Sequence, residues 1–95
     1  MIQCEGGRCF VHGAVTHAAV ATLLAEGERI FQGRRLLFDF SAVQTADSSA
    51  LSLMLEWVRR ASAVGTELEF AGLGPALLSL LQLYGLAELI PLAAE

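Results

Sequence analysis

The chain contains no lysine. Its cationic side chains are six arginines set against ten acids, for a formal net charge of −4. That balance supplies none of the basic field by which nucleic acid or an anionic membrane surface is held, so the sequence points away from both partners. Long apolar runs are also lacking. The longest apolar region, Pro75 to Leu92, is broken by Ser79, Gln82, Gly85, Glu88 and Pro91, and its pieces fall short of the roughly 20 residues that span a bilayer. No secretory leader is expected, because Met1-Ile2-Gln3-Cys4 runs straight into Glu-Gly-Gly. A cytosolic protein is expected. Charged residues make up 17% of the chain and hydrophobic ones 55%, the composition of a compact globular protein with little solvated surface and no disordered segment. Some of that apolar area is expected to meet a partner. At 95 residues, the whole chain (1–95) reads as one domain.

The hydropathy pattern changes in an ordered way along the chain. Residues 2 to 5 and 8 to 12 flank Gly6-Gly7, a dipeptide suited to the positive φ angles of a two-residue hairpin turn. Pairing across it sets Cys4 opposite Cys9, with Ile2, Cys4, Cys9 and Val11 on one face, read as the core face. Thr16 is placed to cap a helix running to about Gln32, in which Gly27 costs roughly 1 kcal/mol. Leu36-Leu37-Phe38 is a continuous apolar run suited to a central buried strand, with Asp39 and Ser41 at its exit. Asp47 caps a second helix to about Ala63, closed by Gly65, and Leu68 and Phe70 mark a fourth strand. A third helix starts at Pro75 and ends near Gly85. The order β-β-α-β-α-β-α predicts an α/β fold with one mixed β-sheet and helices packed against it.

Three groups of residues have the chemistry to be sites. Cys4, Cys9, His12 and His17 resemble a metal set, but Cys9 and His12 lie three apart on one strand and point to opposite faces, which opposes a tetrahedral site. No metal and no cofactor is expected. A cross-strand disulfide between Cys4 and Cys9 is within geometric reach, whereas cytosolic redox conditions favour two buried thiols. A catalytic serine is poorly supported. Neither Ser48 nor Ser49 lies in a Gly-x-Ser-x-Gly elbow, both histidines fall in the first 17 residues, and no second acid flanks Asp47. The chain is therefore read as not an enzyme.

The third group is Asp47-Ser48-Ser49. As a helix cap it needs no further role, since Asp accepts first-turn amides and suits the positive helix end. The helix behind it carries more apolar surface than a core-facing stripe requires. On a wheel at about 100° per residue, Ala50, Leu51, Leu53, Met54, Leu55, Trp57, Val58 and Ala61 fill roughly 200°, about twice what core packing uses. Leu53 and Trp57 form the edge read as surplus, with a deeply buried helix as the alternative. In the third helix, Leu77, Leu78, Leu80, Leu81 and Leu83 lack a cationic face, so core packing is expected rather than a membrane surface. Tyr84 is expected to be half-buried.

The element order, the strand LLFDFSAV, the turn TADSSAL and the stretch GTELEFAGLGPALLSLLQLYGL together resemble the STAS domain family across essentially the whole chain. Within that family the likeness is to the MlaB branch, carried by Asp47-Ser48-Ser49-Ala50-Leu51, Leu83-Tyr84-Gly85-Leu86 and Ile90-Pro91. Ala50 departs from the glycine usual at its position. The resemblance implies a non-catalytic cytoplasmic subunit that binds the ATPase (MlaF-like) of an ABC phospholipid transporter maintaining lipid asymmetry. The complex would include permease and lipid-binding subunits, so that the protein is peripheral to the inner membrane through its partner and does not insert. On that reading Asp47, Ser48, Ser49, Leu53 and Trp57 are the partner-binding residues, with Ser48 at the ATPase contact, Asp47 at its rim and the Leu53 and Trp57 edge in the interface. The alternative within the family is an anti-sigma-factor antagonist, in which Ser49 occupies the phosphorylated position and Ser48 is the neighbouring hydroxyl. A homodimer through the same edge is a further expectation for the isolated protein.

Overall fold

The computed structural model describes residues 1–94, and no helix among them is long and apolar enough to cross a membrane. The elements are β1 (Ile2–Glu5), β2 (Arg8–Val11), β3 (Gly13–Val15), a 3-10 turn (His17–Ala19), α1 (Val20–Glu28), β4 (Arg35–Asp39), β5 (Val43–Ala46), α2 (Ser49–Ala63), β6 (Glu67–Ala71) and α3 (Pro75–Leu83). The main sheet has the order β1-β2-β4-β6. Its first pair is antiparallel and the other two are parallel, giving the mixed α/β sheet that the sequence pattern implies. Beyond β6 the chain end adds a short parallel bridge, Phe70 to Leu92.

Two strands are additional to the sequence reading. β3 and β5 pair in parallel as a separate two-stranded sheet. Each is only three or four residues long, too short to show the alternation from which strands are read. The first helix also differs. Thr16 is extended and makes no side-chain cap hydrogen bond, and the α-helix starts at Val20 and ends at Glu28, short of Gln32. At the hairpin, only Gly6 has a positive φ, at 62°. Gly7 instead allows a close approach, since a Cβ there would lie 3.1 Å from the Arg35 carbonyl.

Side chains alternate along the main sheet. Cys9, Val11, Leu36, Phe38, Leu68 and Phe70 enter the core, and Arg8, Phe10, Arg35, Leu37, Glu67 and Glu69 alternate with them on the other face, half-buried or exposed. β4 is central, as its apolar run implies, but Leu37 is only half-buried because one face of the sheet is open. The core is built around an aromatic cluster. Phe38 packs on Trp57 at 4.8 Å, on Phe31 at 5.9 Å and on Phe70 at 6.2 Å between ring centroids, and Phe40 joins at 5.9 Å from Phe70. Such edge-to-face and offset pairs add about 0.5–1.5 kcal/mol each beyond area burial. β1 is the outermost strand, so of its expected core residues Ile2 is half-buried and Cys4 is exposed. Cys4 and Cys9 sit opposite each other as expected but are joined as a disulfide. The expectation of two buried thiols is corrected: the pair is oxidised, and Cys9 is buried while Cys4 is exposed.

Candidate functional site

The start of α2 is positioned by β5, which runs through Ala46 into Asp47. The Asp47 amide donates to the Val15 carbonyl at 3.2 Å, which extends the β3–β5 pairing by one residue. The carboxylate then makes two different connections. Oδ1 accepts the Ser49 amide at 2.9 Å and also the Ser49 hydroxyl, which closes the first turn of α2. Oδ2 accepts the His17 amide at 3.1 Å, from the 3-10 turn ahead of α1. Asp47 is thus a helix cap and also a clasp between two segments 30 residues apart. The hydrogen bonds from the Ser49 hydroxyl, and next from the His17 amide, stabilise the charged form and hold this carboxyl below the ordinary carboxylate range.

The two serines are placed differently. Ser49 is half-buried and its hydroxyl is engaged by Asp47. Ser48 is exposed and makes no side-chain cap hydrogen bond, so its hydroxyl faces solvent at the positive end of a 15-residue helix. Beside this turn, β5 and α3 enclose a groove of 190 Å³ lined by residues that include Ala46, Thr45, Phe40, Leu77 and Leu80. Its Ala46 wall is the residue before Asp47. The three residues Asp47, Ser48 and Ser49 therefore form one accessible turn at the margin of a partly apolar groove.

Leu53 and Trp57 are not part of that surface. They are 1% and 0% exposed, and the expectation that their edge is available to a partner is corrected. The apolar arc of α2 is wide because the helix is covered from two sides, by the sheet and by α1. Gly27 makes the second contact close: a Cβ at that position would lie 2.3 Å from Nε1 of Trp57. The indole N–H donates to the Leu24 carbonyl at 3.4 Å. A glycine read as a local cost to α1 is thus the slot into which the largest core side chain fits.

The exposed large apolar residues lie mainly elsewhere, at Leu78, Leu83, Tyr84, Leu89 and Leu92. α3 contributes Leu77 and Leu81 to the core and leaves Leu83 75% exposed. Tyr84 is 56% exposed rather than half-buried. It follows the last turn of α3, where the chain leaves the helix toward Gly85.

A second acidic centre went unread in the sequence. Asp39, at the end of β4, is buried; its Oδ2 accepts Arg8 Nη2 at 2.6 Å and Nε at 3.1 Å, and its Oδ1 accepts the Ser41 amide at 2.8 Å. Arg8 also stands over the Phe10 ring, 5.7 Å from its centroid. Burial pushes the Asp39 carboxyl upward, but hydrogen bonds from Ser41, together with Arg8, outweigh it and the net displacement is downward. Gly72 closes the site, with φ at 71° and space for no Cβ, which would stand 2.6 Å from Oδ1 of Asp39. Alternation along β2 and β4 could have placed Arg8 and Asp39 on one face, but only the pairing of those strands brings them together. The four residues of the metal-like set do not assemble: Cys4 and Cys9 are bonded, His12 is half-buried and His17 is exposed. Among the described residues no three His, Cys, Asp or Glu side chains converge as a metal set.

Comparison with known proteins places this geometry. A family model described as Mlab, STAS domain, matches residues 5–91. The fold is similar to the anti-sigma factor antagonist SpoIIAA in its unphosphorylated form, with TM-score 0.65 and 23% identity over 86% of this chain and 80% of that one. It is also similar to the Bacillus cell fate determinant SpoIIAA in its phosphorylated form, with TM-score 0.69 and 24% identity over 100% of this chain and 91% of that one. A third likeness is to Mglu, with TM-score 0.58 and 25% identity over 74% of this chain but only 18% of that one. No curated protein matches the sequence.

Proposed function

From the premise that this chain belongs to the STAS domain family, whose MlaB-type model spans residues 5–91, we propose that it is an accessory subunit of an ABC phospholipid transporter. In this role it binds the cytosolic ATPase and supports its assembly or activity, without chemistry of its own, and sits at the inner membrane only through that partner. The observation that carries the reading is the exposed Ser48 hydroxyl on a turn fixed by Asp47. A hydroxyl held at a helix N-terminus adds a hydrogen bond to a partner at little entropic cost, because the turn is already ordered. The groove between β5 and α3 offers the adjoining apolar contact. Leu53 and Trp57 act only as the buried side chains that anchor α2 in the core.

The test is co-purification of the full chain with the ATPase subunit of the ABC lipid transporter from the same cell. Recovery of a stable complex by wild type and its loss in Ser48→Arg, with unchanged melting, is the expected result. Absence of a complex for the wild type would overturn the reading.

A second reading is supported by the SpoIIAA likeness and by the placement of Ser49. As an anti-sigma-factor antagonist, the protein would be switched by phosphate on Ser49. That modification would remove the Ser49–Asp47 hydroxyl bond and bring nearly two negative charges beside Asp47, opening the clasp to His17. Phosphate on Ser49 of protein isolated from its own cell, seen by intact mass and peptide mapping, would favour this reading over the first.

A further inference from the structure

The β1–β2 register sets Cys4 directly opposite Cys9, with Cα atoms 3.9 Å apart and the sulfurs joined. The two residues have unequal surroundings. Cys9 is 0% exposed, within the core cluster, and Cys4 is exposed on the outermost strand. The bridge joins positions only five apart, and closing so short a loop restrains the unfolded chain by only about 2 kcal/mol. The hairpin is also held without it. Glu26 of α1 accepts the Ile2 amide at 2.9 Å, and the His12 amide donates to the Met1 carbonyl at 2.8 Å.

We propose that Cys4–Cys9 is a reversible dithiol–disulfide site for low-molecular-weight thiols and their disulfides, with Cys4 as the sulfur they reach. An incoming thiolate bonds to Cys4 Sγ and the Cys4–Cys9 bond breaks. The electron pair leaves on Cys9, which takes a proton from solvent. A second small thiolate attacks the outer sulfur of the mixed disulfide, forming the small-molecule disulfide and releasing Cys4, which is protonated in turn. Two small thiols are oxidised and the protein disulfide is reduced by two electrons; a small-molecule disulfide drives the reverse. Access decides the direction of attack, because the apolar surroundings of Cys9 shield its sulfur and keep the released group a thiol. With no other cysteine in the chain, Cys9 is the one protein thiol that can resolve a mixed disulfide on Cys4, re-forming the bridge and releasing the small thiol.

The experiment equilibrates the full-length protein in glutathione buffers of graded reduced-to-oxidised ratio, quenches with acid, alkylates and maps the cysteines. The expected result is a two-electron transition between disulfide and dithiol, with any glutathione adduct on Cys4. In folded single variants, oxidised glutathione adds to Cys9→Ser and at least about 100-fold more slowly to Cys4→Ser. Unfolding Cys4→Ser in urea removes the difference, which separates shielding from intrinsic unreactivity. A pair that stays reduced at every ratio, a disulfide that no ratio opens, or equal reaction at Cys4 and Cys9 in the folded chain would each overturn the proposal.

Discussion

Asp39 and Asp47 are eight residues apart in sequence and have both been drawn below the ordinary carboxylate range, yet they do different work. Asp39 is buried, holds Arg8 and the Ser41 amide, and has Gly72 packed against it. Asp47 is exposed and joins the His17 amide to the first turn of α2, beside the exposed Ser48 that the proposal places at the partner contact. A lowered carboxyl therefore does not distinguish a buried structural centre from an exposed turn proposed for docking. Accessibility does: a group without solvent access cannot be read by another protein unless the fold opens.

The contrast can be broken most severely at Gly72. Gly72→Val places a branched side chain at positive φ against Oδ1 of Asp39 and the Ser41 amide, and a loss of about 3 kcal/mol in urea unfolding is expected. Asp39→Ala comes next. It leaves Arg8 without this carboxylate and the Ser41 amide without its acceptor, at a cost of about 2 kcal/mol, reduced from a fully buried pair because the Arg8 side chain is 41% exposed. Its urea midpoint should fall, while a folded fraction still binds the partner at wild-type affinity. Asp47→Ala should lower the midpoint less than either and weaken partner binding more than either, because the Ser48 turn loses its anchor.

The smallest effect is in pH. Both folded carboxyls titrate below their unfolded values, so their stabilisation is complete above about pH 4 and is lost as pH falls through the depressed folded range. Asp39→Asn should lower stability by a constant amount between pH 6 and pH 8, roughly two or more units above both titrations, and flatten the fall of stability in acid relative to wild type. A melting curve series from about pH 3 to pH 8 checks the sign.

The sequence pattern reveals the elements that carry long periodic stretches, and it reveals the Asp47 cap because capping is local. Its second half, the His17 amide, comes from 30 residues away and leaves no local mark. β3 and β5 escape for the same reason: each is short, and its strand character exists only in their mutual pairing. The wide apolar arc of α2 was legible but not its cause. An arc of about 200° fits both a helix with surface to spare and one covered on two sides, and the slot that Gly27 opens for Trp57 decides for the second. The Arg8–Asp39 pair was equally hidden, because strand order and not spacing brings β2 beside β4.

The most direct measurement of the division between the two acids is the affinity of purified protein for the transporter ATPase subunit by titration calorimetry, comparing wild type, Ser48→Arg and Asp39→Asn at equal folded concentration. The account predicts at least about a 100-fold weakening for Ser48→Arg, or about 2.7 kcal/mol, and an unchanged Kd for Asp39→Asn. Wild-type affinity in Ser48→Arg, or a loss confined to Asp39→Asn, would contradict it.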